Sequence, residues 1–363
     1  MEPRKALIAM SGGVDSAVAA LLTQAEGFAC MGATMRLYDG ETDEPGSTCS
    51  ALENVEDARS VAHRLGIPFH VFNFKGDFET RVIQKFIRCY ECGATPNPCI
   101  DCNRYLKFDH LLRKGMELGC DYVVTGHYAR IRRDEDTGRF LLYRAKDPSK
   151  DQSYVLYSLT QEQLAHTRFP LGEMSKAEAR AIAEDQGFIN ARKRDSQDIC
   201  FVPDGDYVGF MERYTGKKYP QGDYLDLSGK VVGRHNGAVS YTLGQRKGLG
   251  LAMGEPVYVC AKDMEKNTIT VGPNEALFST TLLAEDWNWF PFPELTAPLR
   301  VFAKARYNQP PQPATVFPEP KGKARVVFDA PQRALTPGQA VVLYDGDLVV
   351  GGGTITAVKK GEA

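Results

Sequence analysis

At 363 residues the chain is longer than one typical domain, and an apolar content of 43% is enough for two or three packed cores. The formal net charge of −2 excludes a general attraction to nucleic acid or membranes, so a polyanion site must come from a local basic cluster. No apolar run has the length of a membrane span or the pattern of a signal peptide, which predicts a cytoplasmic protein without membrane partners. Nine cysteines without a secretory signal favour thiol or metal chemistry over a disulfide scaffold.

The first predicted unit is a short apolar strand, residues 5–10, that turns into a helix through the segment SGGVDS, residues 11–16. Two glycines at such a turn expose backbone N–H groups at the positive end of a helix, which favours phosphate. The segment has neither the ending of a Walker loop nor the G-x-G-x-x-G pattern of a dinucleotide site. It resembles the pyrophosphate loop of the ATP pyrophosphatases. The alternative is a plain glycine-rich turn capped by Asp15 or Ser16.

Strands and helices then alternate as far as the segment TGHYA, residues 125–129. Strands are predicted at 30–38, 68–73 and 122–125, and helices at 54–65, from 77 to about 93, and at 103–118. This alternation predicts a doubly wound parallel sheet, with ligands at the carboxyl ends of its strands. The glycine loop, Met35 and TGHYA all fall at or near those ends.

The pattern changes after residue 129. A hairpin is predicted at 131–133 and 140–144, then a polar loop at 146–154, and Ser175 with Glu178 forms a capping box that starts a helix. Short strands recur beyond about residue 206, and five or six of them from about residue 280 predict a small closed barrel. The predicted fold is α/β: a doubly wound parallel-sheet domain over 1–206, a small mostly β central domain over 207–279 and a C-terminal β-barrel over 280–363.

Four cysteines have the spacing C-x2-C-x6-C-x2-C, which by itself is typical of a compact zinc knuckle. They are Cys89, Cys92, Cys99 and Cys102. The first two fall in the last turn of a predicted helix, whereas the other two lie in a turn-prone loop in which Asn103 is expected to cap the next helix. A thiol just before a helix N-terminus is stabilised as the thiolate, so Cys102 is expected to be the most reactive. Three other cysteines lie in apolar runs and are expected in the core: Cys30, Cys120 and Cys260.

Six motifs occur in the order found in the tRNA-specific 2-thiouridylases, and this resemblance covers nearly the whole chain. They are SGGVDS, TPNPC-x-x-CN, TGHYA, KDQSY, SQDICF and YTLGQRKGLG. The resemblance implies a sulfurtransferase that adenylates the 2-carbonyl oxygen of the wobble uridine with ATP and Mg²⁺, and then replaces that oxygen with sulfur. It implies that Cys200 carries a persulfide and that Cys102 releases the sulfur by forming a transient disulfide with Cys200. The implied partners are tRNA and a cysteine desulfurase or sulfur-relay protein as donor.

The resemblance also assigns binding residues. ATP is placed on Ala9, Met10, Ser11, Gly12, Gly13, Val14, Asp15, Ser16, Met35 and Gly126. Contacts to tRNA are placed on Asn97, Pro98, Cys99, His127, Lys150, Asp151, Gln152, Arg306, Tyr307 and Gln339. Many family members have Asp, a proposed general acid or base, where this chain has Cys99, and the nearest carboxylate here is Asp101. A second-ranked alternative is an iron-sulfur cluster on Cys99, Cys102 and Cys200.

Two other classes of protein remain open from the sequence. An amide ligase of the ATP pyrophosphatase group, such as a synthetase making NAD or GMP, shares SGGVDS without needing the cysteine motifs. A zinc-stabilised RNA-binding module would use the cysteines without cleaving ATP. If the sheet domain and the barrel form two walls of a cleft, basic side chains on both would face tRNA phosphates. These are Arg130, Arg132, Arg133, Lys150, Arg192, Lys193, Arg194 and Arg306.

Overall fold

The computed structural model describes residues 3–38, 52–193 and 199–359. Part of the SQDICF motif, residues 196–198, and Arg194 of the basic run lie outside the described residues, as does Cys49.

The described strands and helices follow the predicted order of an alternating N-terminal part and a β-rich remainder. The strands are β1 (Lys5–Ala9), β2 (Ala29–Arg36), β3 (Phe69–Asn73), β4 (Tyr122–Val124), β5 (Ala129–Arg133), β6 (Phe140–Arg144), β7 (Thr167–Arg168), β8 (Gly222–Leu225), β9 (Val231–His235), β10 (Tyr258–Asp263), β11 (Thr268–Gly272), β12 (Phe278–Trp289), β13 (Leu299–Lys304), β14 (Gln312–Glu319), β15 (Lys323–Arg333), β16 (Ala340–Asp345) and β17 (Leu348–Lys359). The helices are α1 (Val14–Ala25), α2 (Leu52–Leu65), α3 (Lys75–Phe78), α4 (Gln84–Glu91), α5 (Pro98–Asp101), α6 (Leu111–Glu117), α7 (Gln161–Ala165), α8 (Lys176–Asp185) and α9 (Tyr207–Thr215).

Two of the helices are longer than these labels suggest. The π-helical turn Glu79–Ile83 joins α3 to α4, and a longer π-helical stretch, Cys102–His110, joins α5 to α6. Each pair is therefore one continuous helix, over residues 75–91 and 98–117.

The N-terminal domain is built on a parallel sheet with the strand order β3-β2-β1-β4-β7. The apolar run in β1 is buried on both faces, as parallel strands require. Ala6 and Ile8 pack with α1, α2 and α8 on one face, whereas Leu7 packs with the helices of residues 75–91 and 98–117 on the other. This arrangement confirms the doubly wound parallel sheet.

The C-terminal part is a closed barrel with the strand order β12-β15-β14-β13-β16-β17, completed by pairing of β12 with β17. Its interior is filled by alternate residues of the strands, including Val316, Val326 and Leu343, which are fully buried. Between the two domains, β10, β11, β8 and β9 form a separate four-stranded sheet. The small mostly β central domain and the terminal barrel are thus confirmed.

The predicted hairpin β5–β6 belongs to the barrel as much as to the N-terminal domain, because Tyr143 of β6 pairs with Leu348 of β17. Tyr154 lies in the same buried cluster as Val342 and Tyr344 of the barrel, and its hydroxyl donates to the Ala340 carbonyl at 2.8 Å. A shared core means that the barrel is not an appendage that can be removed without exposing apolar surface. Within the described ranges, no helix has the length and apolar character needed to cross a membrane.

Candidate active site

The glycine loop lies between β1 and α1 and is packed tightly on its neighbours. Gly12 has φ of 76°, a conformation that favours glycine, and a Cβ there would lie 2.3 Å from the Asn54 carbonyl oxygen. On the other side, the Asn190 side chain donates to the Gly12 carbonyl at 3.0 Å. The loop is therefore held from α2 and from the segment after α8, with no room for a side chain at Gly12.

The TGHYA segment also reaches this loop. Gly126 follows β4, and a Cβ on it would lie 2.6 Å from the carbonyl carbon of Asp15 and 2.8 Å from the Ser16 nitrogen. Met35, the penultimate residue of β2, lies at the same carboxyl edge of the sheet. The structure thus brings together the carboxyl-end residues on which the sequence placed ATP.

Asp15, an unexpected residue in a phosphate-binding loop, has two partners. The Tyr128 hydroxyl donates to its Oδ1 at 2.8 Å, and the Lys176 ammonium lies 2.7 Å and 2.8 Å from its two oxygens. Lys176 is not among the site residues predicted from the sequence. A signal was available, since a lysine at the first position of α8 opposes the helix dipole and so needs another reason to be there.

The helix that carries Cys102 begins earlier than the sequence analysis expected. Asn97 is its cap, accepting from the Cys99 nitrogen at 3.2 Å, and Pro98 occupies the first helical position, where its fixed φ suits a helix start. The expectation that Asn103 is the cap is wrong. Asn103 is buried within the helix and donates to the Val155 carbonyl at 3.1 Å. Cys102 therefore lies one turn inside the helix rather than just before it.

Asp101, the carboxylate nearest to Cys99 in sequence, is only 6% exposed and lies 2.6 Å from the Lys85 ammonium. Burial raises the pKa of Asp101, and the attraction of Lys85 opposes that rise. In the next turn, Arg104 forms an ion pair with Asp286 on β12 of the barrel. The helix of Cys102 is thus anchored on the helix of residues 75–91 and on the barrel.

Cys200 is positioned by the aromatic residue that follows it. Phe201 is 3% exposed and packs edge-on against Phe78, with ring centroids 5.7 Å apart, and against Phe86 at 5.1 Å. Cys102 and Cys200 are both half-buried at the border of this one hydrophobic cluster. Two thiols far apart in sequence therefore lie against a common core.

Of the three cysteines predicted in the core, two are buried and Cys30 is half-buried. Cys120 and Cys260 are buried, and burial raises the pKa of the half-buried Cys30 to about 11, which keeps it protonated. Cys92 and Cys99 are exposed. Among the described residues no three His, Cys, Asp or Glu side chains are grouped so as to hold a metal ion, so neither the zinc knuckle nor the three-thiolate set is assembled.

Family models match most of the chain, in three segments. Residues 4–204 match the model of a tRNA methyl transferase HUP domain, 208–273 that of a tRNA methyl transferase PRC-barrel domain, and 279–355 that of an aminomethyltransferase beta-barrel domain. The tRNA-specific 2-thiouridylase MnmA of Clostridioides difficile is 48% identical over 353 residues, 97% of this chain and 98% of its own. The enzyme of the same name from Moorella thermoacetica is 51% identical, over 98% of this chain and 100% of its own.

The chain belongs to the tRNA-specific 2-thiouridylase family. It is therefore an enzyme of the tRNA sulfurtransferase type, and neither an amide ligase nor a non-catalytic RNA-binding module. Among solved structures, an NMN synthetase from Francisella tularensis aligns with a TM-score of 0.33 at 14% identity, over 60% of this chain and 79% of its own.

In this thiouridylase, several residues assigned to tRNA make contacts within the protein. His127 is buried, with Nδ1 2.7 Å from the Thr125 hydroxyl, and burial, together with the charge of Lys107, lowers its pKa well below the ordinary value. Asp151 is buried and accepts from Arg144 Nε at 3.1 Å. Gln152 accepts from the Tyr128 nitrogen at 3.0 Å.

Two of the barrel residues assigned to tRNA are also engaged inside the thiouridylase. Arg306 donates to the Ala334 carbonyl at 2.7 Å and to the Leu243 carbonyl at 3.3 Å, and so links the barrel to the central domain. Gln339 donates to the Thr95 carbonyl at 2.8 Å. Both side chains hold the domains together in this conformation.

Tyr307 is the barrel residue assigned to tRNA that remains open to solvent, at 38% exposure. Its ring packs edge-on against Tyr154, with centroids 5.8 Å apart, and burial, aided by the negative charge of Asp151, raises the pKa of its hydroxyl. Cys99 is exposed as well, while Pro98 beside it is buried. The loop before Cys102, the polar loop and the barrel thus meet at one surface.

Most of the predicted basic groups in the described residues have acidic partners. Arg130 pairs with Asp347 at 2.8 Å, Arg132 lies 3.3 Å from Glu173, and Lys193 lies 2.5 Å from Asp57. Three of the basic side chains are exposed: Arg132, Arg133 and Arg192. These are better placed for phosphates than Lys193, which points toward α2 beside the glycine loop.

Proposed function

We propose that the chain thiolates the wobble uridine of certain tRNA anticodons in two chemical steps. In the first, ATP bound on residues 9–16, Met35 and Gly126 transfers its adenylyl group to the 2-carbonyl oxygen of the uridine, and pyrophosphate leaves. A carbonyl oxygen is a poor leaving group until it bears AMP, which is why the reaction needs ATP. The tight packing around Gly12 and the approach of Gly126 support a nucleotide site at this edge of the sheet.

In the second step, Cys200 arrives with a persulfide supplied by a cysteine desulfurase or a sulfur-relay protein. The outer sulfur attacks C2 of the uridine, and the thiolate of Cys102 attacks the inner sulfur to form a Cys102–Cys200 disulfide. AMP leaves with the electron pair of the C2–O bond, and 2-thiouridine remains. An external dithiol then reduces the disulfide. A persulfide gives up its outer sulfur only if a second thiol accepts the bond, and this chain has such a pair.

One observation carries this proposal: Cys102 and Cys200 lie against the same buried cluster, beside the sheet whose carboxyl edge carries the glycine loop. The two thiols are set there by unrelated elements, the helix of residues 98–117 and the turn before Phe201. The Mg²⁺ of the reaction would enter on the phosphates of ATP, because protein-bound Mg²⁺ is usually held by substrate phosphates and one or two carboxylates rather than by a cage of protein ligands. The iron-sulfur alternative has no comparable support.

The tRNA is proposed to contact the surface where the three loops meet. Asn97, Pro98 and Cys99 would lie next to the target base, and the exposed ring of Tyr307 offers a stacking platform for an unpaired base. The exposed arginines of the hairpin would contact phosphates. We retain the proposed boundaries of 1–206 for the catalytic domain, 207–279 for the central domain and 280–363 for the tRNA-binding barrel, and a cytoplasmic location.

The test is incubation of the purified chain with ATP, Mg²⁺, a persulfide source and unmodified tRNA, scored for 2-thiouridine, AMP and pyrophosphate. Cys102→Ser and Cys200→Ser should each abolish nearly all thiolation, and the double variant should lose little more, because the two thiols act in one transfer. Cys92→Ser, which changes an exposed cysteine outside the proposed pair, is the matched control and should retain activity. A Cys102→Ser variant that keeps most of its thiolation would overturn the mechanism.

A further inference from the structure

The glycine loop has no positive side chain of its own. Residues 9–16 read AMSGGVDS and contain no lysine or arginine, and Asp15 adds a negative charge. Backbone N–H groups at the start of α1 can bind part of a polyphosphate, yet ATP brings several negative charges into the same space as this carboxylate. Besides the Mg²⁺ that ATP brings, a cation on another element would offset them.

Lys176 reaches that position from α8. Its ammonium lies 2.7 Å and 2.8 Å from the two oxygens of Asp15, the second residue of α1, so it lies at the positive end of α1 where phosphates would bind. α8 is held firmly against α1, because Ala179 and Ala183 are buried in one cluster with Ala17. The ammonium is thus delivered by a rigid element rather than by a mobile surface side chain.

The fold itself does not require a lysine here. Lys176 is 9% exposed and occupies the first position of α8, where a positive charge opposes the helix dipole. The helix start is already completed by the reciprocal capping box of Ser175 and Glu178. An ion pair between the buried Lys176 ammonium and the half-buried Asp15 carboxylate is also a weak source of stability compared with apolar packing. The pair with Asp15 therefore holds a cation at the loop that the fold has little need of.

The other described lysine beside the loop is less suitable. The Lys193 ammonium lies 2.5 Å from Asp57 and 2.6 Å from the Asn54 side chain, on the α2 side of Gly12. Its ion-pair partner, Asp57, belongs to α2, whereas the partner of Lys176 is a residue of the loop.

We propose that Lys176 binds the β- and γ-phosphates of ATP, taking them in place of, or together with, the Asp15 carboxylate. The proposal rests on the ATP-dependent function above and adds a pyrophosphate-binding residue to it. As the bond between the α-phosphorus and the bridging oxygen breaks, its electron pair stays with pyrophosphate, and Lys176 stabilises the charge that accumulates there. The hydroxyl of Tyr128 keeps Asp15 in place when the ammonium moves to the phosphates.

The experiment compares ligands that contain or lack the β- and γ-phosphates. Equilibrium binding of ATP, pyrophosphate and AMP is measured on the full chain, for the wild type, Lys176→Met, Lys176→Arg and Lys146→Met. Because Lys176→Met removes a charged donor to phosphate, it should lower the affinities for ATP and pyrophosphate about tenfold to a hundredfold and leave the affinity for AMP within about twofold of the wild type. Lys176→Arg should retain most of the ATP affinity because it keeps the charge. Lys146→Met removes an exposed positive charge near the start of α8 and should change none of the three affinities.

Each other outcome has a defined meaning. If Lys176→Met weakens the binding of ATP and of AMP equally, or weakens neither, Lys176 acts only on the fold and the inference is overturned. The inference is also overturned if Lys176→Arg loses as much ATP affinity as Lys176→Met. If Lys176→Met does not fold, Lys176→Gln replaces it, since glutamine can still hydrogen-bond to Asp15 without the charge. A wild-type chain that binds neither ATP nor pyrophosphate would contradict the proposed function itself. If the wild type releases pyrophosphate and Lys176→Met has unchanged affinities for ATP and pyrophosphate, only this inference is contradicted and the proposed function stands.

Discussion

The side-chain amide of Gln339 in the barrel donates to the main-chain carbonyl of Thr95 at 2.8 Å, at the start of the loop that leads to Cys102. A second bond strengthens this contact, since the Thr95 nitrogen donates to the Pro337 carbonyl at 2.9 Å. Gly338, between Pro337 and Gln339, allows this close approach, because a Cβ there would lie 3.0 Å from the nitrogen and 3.0 Å from the carbonyl oxygen of Thr95. The barrel therefore fixes the backbone that positions the proposed cysteine nucleophile.

Replacing Gln339 with leucine should reduce the rate of thiolation more than the affinity for tRNA. The substitution removes the hydrogen bond that holds the Thr95 carbonyl. A lost hydrogen bond costs about 1–2 kcal/mol, and if that free energy is lost from the positioning of Cys102 the rate falls roughly fivefold to thirtyfold. Single-turnover thiolation and tRNA binding are measured on the same preparation. Gln312→Leu, at a partly exposed position on β14 of the barrel, is the control. A large drop in tRNA affinity at an unchanged rate would instead make Gln339 a tRNA contact.

Gly126→Ala should abolish nucleotide binding or prevent the loop from adopting its structure. The new methyl group would lie 2.6 Å from the carbonyl carbon of Asp15. The contact is between two backbone segments, which cannot move apart as easily as a flexible side chain can. Gly76→Ala is the matched control: its Cβ meets nothing within 4 Å, and its helical position favours alanine. ATP binding and thermal unfolding are measured for both. Normal ATP affinity in Gly126→Ala would show that TGHYA is not part of the nucleotide site.

The two partners of the ion pair beside Cys102 should respond differently to neutral substitution. Lys85→Met removes the ion-pair partner of the buried Asp101 carboxylate and should lower the free energy of unfolding by about 2–4 kcal/mol near pH 8. Asp101→Asn leaves Lys85, which is 41% exposed and can reach water, so it should cost about 1 kcal/mol or less. Denaturant unfolding measures both.

The pH dependence of the Lys85→Met variant follows from the same burial. The pKa of Asp101 is already raised by burial and rises further without Lys85, so the folded state binds a proton that the unfolded state releases. Folding stability lost at pH 8 should therefore return as the pH falls toward the ordinary range of an aspartate. Equal costs for the two substitutions at every pH would contradict the burial argument.

His127 should make the protein less stable in mild acid. Burial lowers its pKa well below 6.5, so below that pH the unfolded state takes up a proton that the folded state does not. Stability is fully present above about pH 6.5 and falls with a slope of up to about 1.4 kcal/mol per pH unit below it. His127→Gln should remove this part of the slope between pH 7.5 and 5.5. An unchanged slope would mean that another group titrates in this range.

Local sequence determined the elements whose cause is local. The apolar run of β1 followed by two glycines specified a strand and a turn into a helix, and the capping box of Ser175 and Glu178 marked the start of α8 correctly. For the helix of Cys102, the local signals predict the wrong cap. Asn97 and Asn103 are both acceptable caps by type, and the choice fell to Asn97 because Asn103 finds a buried partner in Val155 far along the chain.

The pairing of distant groups was decided by the tertiary structure. Sequence spacing gives no distance between Asp15 and Lys176, between Gln339 and Thr95, or between the cluster residues that hold Cys102 and Cys200. Those contacts exist because the doubly wound sheet brings its carboxyl ends to one edge and because the hairpin β5–β6 fuses the barrel to the sheet domain through a shared core. The sequence by itself determined the type of chemistry through the residues it supplies. Packing of apolar surfaces that are distant in sequence decided which of those residues meet. The hydrophobic effect depends on the apolar area removed from water and not on the position of the residues along the chain, so sequence spacing does not predict these contacts.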